Sequence, residues 1–278
     1  MIKPRHPKSS IAPPALIGGS IDFAGGGFAN ILKAYAQGKK LVAIAPLMNR
    51  IATNVVIRKS IADELGVTSD SPLDVKINAL KGLKIGTNGP GALADLVARD
   101  LLGKVNLDPE KDVTLVALKG SAFLPAFSNG QIDAFVLSSP TADAAAEKFE
   151  GMILIRTVDE GFEPQPYQVL YTTPEYLQEH PDVAVQMVKS IVRAAEYINS
   201  EPDAAFDIVR NVLEGPQFSA EALRTGFDYT IRAVPNPVEF TEAGFSEALK
   251  FFNNGRKMAG DPPLTIEMEL CWILGDAA

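Results

Sequence analysis

The chain contains one ten-residue phrase twice, as PALIGGSIDF at residues 14–23 and as PAFSNGQIDA at residues 125–134. Five of the ten positions are identical, and every identical pair has the same separation along the chain. Each copy is typical of a helix end, a left-handed stop at Gly19 or Gly130, and the start of a buried strand. A repeat at constant spacing predicts two related lobes that share one supersecondary unit.

A corner of small residues follows each copy, AGGGFAN at residues 24–30 and LSSPTAD at residues 137–143. Corners between the carboxyl end of a strand and the amino end of a helix leave backbone N–H groups free, and α/β folds bind small ligands there, anions in particular. TNGPG at residues 87–91 and KGSAF at residues 119–123 are two further corners of this kind. A tight turn without ligand, or a simple N-cap role for Ser139, stays open as an alternative.

Short apolar and β-branched runs alternate with longer amphipathic stretches, which predicts an α/β fold built from βα units. The predicted strands cover residues 20–24, 40–46, 53–59, 83–88, 113–119, 132–138, 152–157 and 167–173. The predicted helices between them cover residues 28–37, 91–102, 121–129 and 140–149. From Pro174 onward the pattern is nearly continuous helix, with Pro181 and Pro202 as first helical residues and Ser219 and Thr241 as N-caps.

No charge run or low-complexity linker divides the chain, so we expect strand-like crossings to join the lobes. The two candidate crossings are TNVVIRK at residues 53–59 and YQVLYTT at residues 167–173. The predicted lobe I therefore comprises residues 1–80 and 166–278, and the predicted lobe II comprises residues 81–165.

The composition excludes several classes of function. A net charge of −8 without a Lys/Arg cluster argues against a nucleic-acid partner. Cys271 is the only cysteine, so neither an intrachain disulfide nor a cysteine-based metal site can form. His6 and His180 are the only histidines, which argues against a histidine-based metal site and against a catalytic triad. His180 directly precedes Pro181, a position typical of a helix boundary. No apolar stretch approaches the ~20 residues of a membrane span.

These features resemble the substrate-binding proteins of ABC importers, of the nitrate/sulfonate/taurine and thiamine-precursor (thiamine pyrimidine synthase-like) type. The resemblance rests on GGSIDFAGGGFANILKAYAQGKKLVAIAP, LKGLKIGTNGPGALADLVARDLL, NLDPEKDVTLVALKGSAFLPAFSNGQIDAFVLSSPTADAA and YTTPEYLQEHPDVAVQMVKSIVRAAEYI, which follow one another in the family's order. It implies a type II periplasmic-binding-protein-like fold, in which two α/β lobes each carry a mainly parallel sheet flanked by helices. A helical C-terminal region is expected to complete this fold.

The resemblance also implies that corners of both lobes contact a ligand captured in the cleft between them. In lobe I the matching residues are Gly25, Gly26, Gly27 and Phe28, with Met48 and Asn49 near the mouth. In lobe II they are Asn88, Gly89, Ser121, Ser138 and Ser139. Tyr167, at the returning crossing, could stack on a ligand ring, and a hinge-packing role stays open for it. The implied ligand is a sulfonate, a nitrate-like anion, a pyrimidine or an aromatic acid, and the implied partner is an ABC permease.

The predicted function is therefore solute binding for an ABC importer, without catalysis, cofactor or metal. The alternatives are an enzyme on the same scaffold, of the thiamine-pyrimidine-synthase or sulfinate-desulfinase type, and a non-exported ligand sensor. Those enzymes need an early cysteine, or a cysteine-rich motif with a histidine and a lysine for pyridoxal phosphate, and no such set matches here. The family also implies a periplasmic location, with a signal peptide, a first strand and a helix before GGSIDFA. Residues 1–13 match none of these, which predicts a fragment, a mis-started chain or a degenerate lobe I.

Overall fold

The computed structural model describes residues 12–213, 217–258 and 260–267. His6 and Cys271 lie outside these described residues. The chain divides into two compact units, each assembled from separate segments. The described residues of unit 1 fall within 1–49, 164–200 and 234–278, and those of unit 2 fall within 50–163 and 201–233.

Eight strands are found among the described residues: β1 (Ala24–Gly27), β2 (Val42–Met48), β3 (Asn54–Arg58), β4 (Lys84–Thr87), β5 (Thr114–Ala117), β6 (Ala134–Leu137), β7 (Gly151–Arg156) and β8 (Gln168–Thr172). The α-helices of the same residues are α1 (Ala12–Ile17), α2 (Ala29–Ala36), α3 (Lys59–Leu65), α4 (Leu73–Asn78), α5 (Leu93–Lys104), α6 (Phe123–Ser128), α7 (Thr141–Lys148), α8 (Pro174–Glu179), α9 (Pro181–Ser200), α10 (Pro202–Leu213), α11 (Ala220–Thr230) and α12 (Glu242–Met258). Every predicted strand except the first agrees with an observed strand to within a residue or two at each end.

The first predicted strand, residues 20–24, is wrong, because the strand covers Ala24–Gly27 instead. Main-chain pairing decides its position, since these residues stand opposite Gln168–Tyr171 of β8 in antiparallel register. The preceding residues form a connection, in which Thr172 Oγ1 donates to the Asp22 carbonyl oxygen at 2.6 Å. Consecutive glycines have low strand propensity, and here tertiary pairing outweighs it.

Within the described residues, each unit contains one sheet. The strand order is β1-β8-β2 in unit 1 and β5-β4-β6-β3-β7 in unit 2. Within unit 2, β4 runs parallel to both β5 and β6. In unit 2, β3 runs antiparallel to both β6 and β7, so this sheet is mixed. In unit 1, β8 runs antiparallel to both β1 and β2, so the mainly parallel sheet expected for each lobe is not found there.

The duplicated phrase folds in the same way in both units. In each copy, hydrogen bonds at matched positions close the helix end, and Gly19 and Gly130 take left-handed φ values of 67° and 70°. β1, α2 and β2 are arranged around β8 as β6, α7 and β7 are arranged around β3. The helix end and the glycine stop that the sequence predicts are thus present twice, and each is followed by a strand that begins at Ala24 in one copy and at Ala134 in the other.

The predicted lobe boundaries differ from the observed units in two places. β3 pairs with β6 and β7, so unit 2 begins at Arg50 and not at residue 81. Residues 201–233, which include α10 and α11, also belong to unit 2, where α11 packs on α7. Both differences arise from contacts between segments that are distant in the chain, which no local sequence pattern reports.

The C-terminal helices begin where the sequence predicts. Pro181 and Pro202 are the first residues of α9 and α10. The Ser219 hydroxyl accepts a backbone N–H of α11 at 3.0 Å, and the Thr241 hydroxyl accepts one of α12 at the same distance. Such N-caps satisfy donors that the first helical turn leaves unpaired.

Each unit also has its own hydrophobic core. The core of unit 1 lies between its sheet, α1, α2 and α12, and includes Ile31, Leu32, Leu41, Val169, Tyr171, Phe245 and Phe252. The core of unit 2 between its sheet, α6 and α7 includes Val56, Phe123, Phe127, Ile132 and Phe135.

Candidate functional site

Four predicted ligand residues of unit 1 meet where β1 and β2 end and β8 begins. The Phe28 N–H donates to the Tyr167 carbonyl oxygen at 3.0 Å, and the Tyr167 N–H donates to the Met48 carbonyl oxygen at 2.9 Å. The carbonyl oxygen of Asn49 accepts from the Gln165 N–H at 2.8 Å. The structure thus brings these four residues to one edge of the sheet, and their ligand roles stay predictions.

The glycines Gly25, Gly26 and Gly27 lie within β1 and not in a corner after it, which corrects their predicted position. A Cβ atom added at Gly26 would come within 3.3 Å of both Asn30 Nδ2 and Tyr171 Oη, so these two side chains approach the strand closely. Burial raises the pKa of the Tyr171 hydroxyl, and the neighbouring Asn30 side chain opposes this change in part. Sequence reasoning missed both polar side chains.

The ring of Phe28 faces the core of unit 1. It is 3% exposed and packs edge-to-face against Phe245, with ring centroids 6.1 Å apart. Tyr167 is also buried, at 8% exposed. Both aromatic residues therefore contribute to packing in this structure, and a ligand contact by either ring stays a prediction.

The predicted ligand residues of unit 2 follow three adjacent strands. Asn88 and Gly89 follow β4, Ser121 follows β5, and Ser138 and Ser139 follow β6. Because β4 lies between β5 and β6 and runs parallel to both, all three corners fall on the same edge of the sheet. Asn88 and Ser121 are exposed, whereas Ser138 and Ser139 are half-buried. The edge therefore carries several polar groups that a ligand can reach.

Gly89 takes a left-handed φ of 96°, which favours glycine at this corner. It lines a cavity of about 350 Å³ together with Thr87, Asp95 and Arg99. The buried carboxylate of Asp95 accepts hydrogen bonds from the Gly91 N–H and from Arg99 Nε, both at 2.9 Å. The chain's own carboxylate thus occupies the amino end of α5.

Arg99 links this carboxylate to a second one, because its Nη1 also donates to Glu110 Oε1 at 2.6 Å. Burial by itself would lower the pKa of Arg99, but the hydrogen bonds to Glu110 and Asp95 outweigh it and raise the pKa above its ordinary value. The three side chains together carry one net negative charge. A free anion in this cavity would therefore meet two carboxylates beside a single guanidinium.

A buried polar cluster lies directly behind Ser139. It consists of Ser139, Asn54 on β3, Asp143 on α7 and Arg156 on β7, and we call it the Asn54 cluster. Asn54 Nδ2 donates to Ser139 Oγ at 3.2 Å, and Arg156 Nη2 lies 3.4 Å from Asp143 Oδ1. Asn54 is fully buried and the Asp143 side chain is 2% exposed. In the sequence, the only indication of this cluster is that a polar residue, Asn54, begins the buried run NVVI.

Helix α11 covers the Asn54 cluster on one side. At Gly226 an added Cβ would come within 2.9 Å of Ser139 Cβ and 3.0 Å of Asp143 Oδ2. Nearby, the Tyr229 hydroxyl accepts the Val158 N–H at 2.9 Å, which ties the same helix to the segment after β7. The predicted assignment of this helix to lobe I missed these contacts.

Within the described ranges, no group of three His, Cys, Asp or Glu side chains could hold a metal ion. No helix in those ranges is long and apolar enough to cross a membrane. His180 directly follows α8, at the predicted helix boundary, and its ring centroid lies 4.6 Å from that of Tyr176.

Several known proteins are similar to this chain. The periplasmic aliphatic sulphonate-binding protein SsuA of Escherichia coli has a TM-score of 0.76 at 16% identity, over 98% of this chain and 83% of that chain. SsuA of Xanthomonas axonopodis pv. citri, solved bound to MOPS, has a TM-score of 0.70 at 18% identity, over 93% of this chain and 83% of that chain. The nitrate import ATP-binding protein NrtC of Synechocystis is 25% identical over 153 residues, which are 54% of this chain. The match spans only 22% of the length of NrtC.

The structural likeness confirms the predicted fold class, the α/β fold of periplasmic binding proteins. A model of the NMT1-like family matches residues 9–213. This range contains the sequence blocks on which the resemblance to nitrate- and sulfonate-binding proteins rests, and that resemblance is confirmed. Since the match covers nearly three quarters of the chain, the protein belongs to the NMT1-like family.

Proposed function

We propose that the protein is the solute-binding component of an ABC importer. The observation that carries this proposal is the set of three adjacent corners of unit 2, after β4, β5 and β6, on one edge of the sheet. The carboxyl edge of such a sheet is where α/β folds bind small ligands. Membership of the NMT1-like family and the fold of SsuA support the same function.

The proposed ligand is a small organic or anionic solute. Among the similar proteins, SsuA is a sulfonate-binding protein and NrtC is a nitrate import protein. Pyrimidines and aromatic acids belong to the same proposal because the family resemblance includes them. The proposed contacts are those predicted from the sequence at the strand ends, namely Gly25, Gly26, Gly27, Phe28, Met48, Asn49 and Tyr167 in unit 1, and Asn88, Gly89, Ser121, Ser138 and Ser139 in unit 2.

The proposal describes a binding protein without chemistry of its own. Its structural neighbours are mostly binding proteins, such as the two SsuA proteins and the nitrate-binding protein NrtA of Synechocystis. An ABC permease is the proposed partner. The proposed location is the periplasm, because SsuA of Escherichia coli and NrtA of Synechocystis are periplasmic binding proteins.

A thermal-shift panel tests solute binding. We expect at least one of nitrate, the alkanesulfonates, the aromatic acids and the pyrimidines to raise the melting temperature of the full chain. A ligand at a hundred times its Kd adds about 2.7 kcal/mol to the free energy of unfolding. For a chain of this size that corresponds to a shift of roughly 5–10 °C.

The double variant Asn88→Ala/Ser138→Ala should reduce the shift, whereas Asn78→Ala, on the exposed face of α4, should preserve it. Sodium chloride at equal ionic strength controls for a general salt effect. A cooperatively melting protein that responds to no compound in the panel would overturn the proposal. Chemical conversion of a compound during the measurement, detected by NMR, would favour the enzyme alternative.

A further inference from the structure

The Asn54 cluster contains three buried polar atoms that have no hydrogen-bond partner among the described residues. They are Asn54 Oδ1, Asp143 Oδ2 and Arg156 Nη1. Asn54 and Arg156 stand opposite each other on β3 and β7, and Asp143 is in contact with Arg156. The three atoms therefore belong to one place in unit 2.

Such a cluster is unfavourable for stability alone. A buried donor or acceptor that loses water without gaining a partner is destabilising, and nearly all buried polar groups in folded proteins are paired. A polar group that bound at this cluster would supply the missing hydrogen bonds. Ser139 and Arg156 are only partly buried, so the cluster reaches the surface at the corner after β6.

The chemistry of the three atoms indicates which group would bind. Two of them, Asn54 Oδ1 and Asp143 Oδ2, are acceptors, and one of these acceptors belongs to a carboxylate. Arg156 Nη1 is the only donor, and Asp143 already balances the charge of its guanidinium at 3.4 Å. A deprotonated oxyanion would add a second negative charge beside Asp143, whereas an amine, amide or hydroxyl would donate its polar hydrogen to the free acceptors.

The repeat shows that this position is polar in both units. Asn54 is the first residue of β3 and stands opposite the ends of β6 and β7. Gln168 is the first residue of β8 and stands opposite the ends of β1 and β2. A carboxamide thus occupies the same register position at the start of β3 and of β8.

We infer that unit 2 recognises a hydrogen-bond-donating group of the solute, an amine or a similar N–H or O–H group, through Asn54 and Asp143 behind Ser139. This inference rests on the proposed solute-binding function and adds specificity to it. Neither Asn54 nor Asp143 is among the ligand residues that the sequence predicts. Arg156 forms the partly exposed wall of this site, and α11 closes the opposite side at Gly226.

Isothermal titration of the full chain with two matched probes tests the inference. 3-Aminopropanesulfonate and propanesulfonate differ only in the terminal ammonium group. We expect the amine to bind at least about tenfold more tightly, because it adds a charge-assisted hydrogen bond. In Asn54→Leu and in Asp143→Asn, the ratio of the Kd values of the two probes should fall towards one. The surface variant Asn78→Ala should keep the ratio of the unmodified protein.

The two variants also allow a loss of binding to be separated from a loss of folding. Asn54→Leu removes the unpaired acceptor together with the hydrogen bond to Ser139, and Asp143→Asn keeps the shape of the side chain, so each variant should still melt in one cooperative transition. Equal binding of both probes, or an unchanged ratio in the folded variants, would overturn the inference and leave the proposed function standing. If neither probe binds, the inference is wrong. If no compound of the thermal-shift panel binds either, the proposed function is wrong as well.

Discussion

Replacement of Phe135 by alanine is expected to lower the free energy of unfolding of unit 2 by about 3–5 kcal/mol. Phe135 lies in the middle of β6 and is fully buried. Its ring meets those of Phe123 and Phe127 edge-to-face, with centroid distances of 5.9 Å and 5.2 Å. The substitution removes the centre of this aromatic group and leaves a cavity that the surrounding sheet and helices can fill only in part.

Hydrogen exchange measures this loss for unit 2 directly, since the amides of β3 and β6 report on opening of its sheet. Leu65→Ala is the matched control, because its side chain is 55% exposed and its loss should change stability by no more than about 0.5 kcal/mol. If the protection factors of the β3 and β6 amides fell by the same amount in Phe135→Ala and in Leu65→Ala, the core of unit 2 would not depend on these three rings.

Gly226→Ala should destabilise the protein, although the same change in most helices is stabilising. Alanine is favoured over glycine in a helix interior by about 1 kcal/mol. Here the new methyl group would lie 2.9 Å from Ser139 Cβ and 3.0 Å from Asp143 Oδ2, so α11 must move away from α7. We expect a larger side chain to cost more, with Gly226→Val lowering the free energy of unfolding by about 1–3 kcal/mol.

Gly103→Ala provides the comparison, since Gly103 lies in α5 and is exposed. This variant should raise stability by about 0.5–1 kcal/mol, as denaturant titration followed by circular dichroism would measure. If Gly226→Ala also raised stability, the close contact between α11 and the Ser139 corner would not be present in solution. Solute binding by Gly226→Val should weaken as well, because the same movement would open the Asn54 cluster to water.

The sequence predicted those features that depend on neighbouring residues. Gly19 and Gly130 end helices in a left-handed conformation because glycine alone has no steric penalty there. Ser219 and Thr241 cap their helices because a side-chain oxygen can reach an amide within the same turn. The order of the strands along the chain, and hence three of the corners of unit 2, followed from apolar runs and turn residues in the same way.

Other features depend on which distant segments meet. Ala24–Gly27 forms a strand only because β8 pairs with it, and α11 belongs to unit 2 only because it packs on α7. Asn54 and Asp143 are separated by most of unit 2 in the sequence, and neither residue has a local signal that points to the other. Their meeting behind Ser139 arises from the antiparallel register of β3 with β6 and β7.

The sequence by itself determined the α/β class, the repeated helix–glycine–strand unit and the family, because these features are written in local patterns and their spacing. The tertiary structure decided the limits of the two units and the polar cluster at the carboxyl edge of unit 2. The unit limits and the cluster depend on strand pairing and helix packing between remote segments. Local preferences allow many arrangements, and the hydrogen bonds between strands and close contacts such as that at Gly226 select one of them.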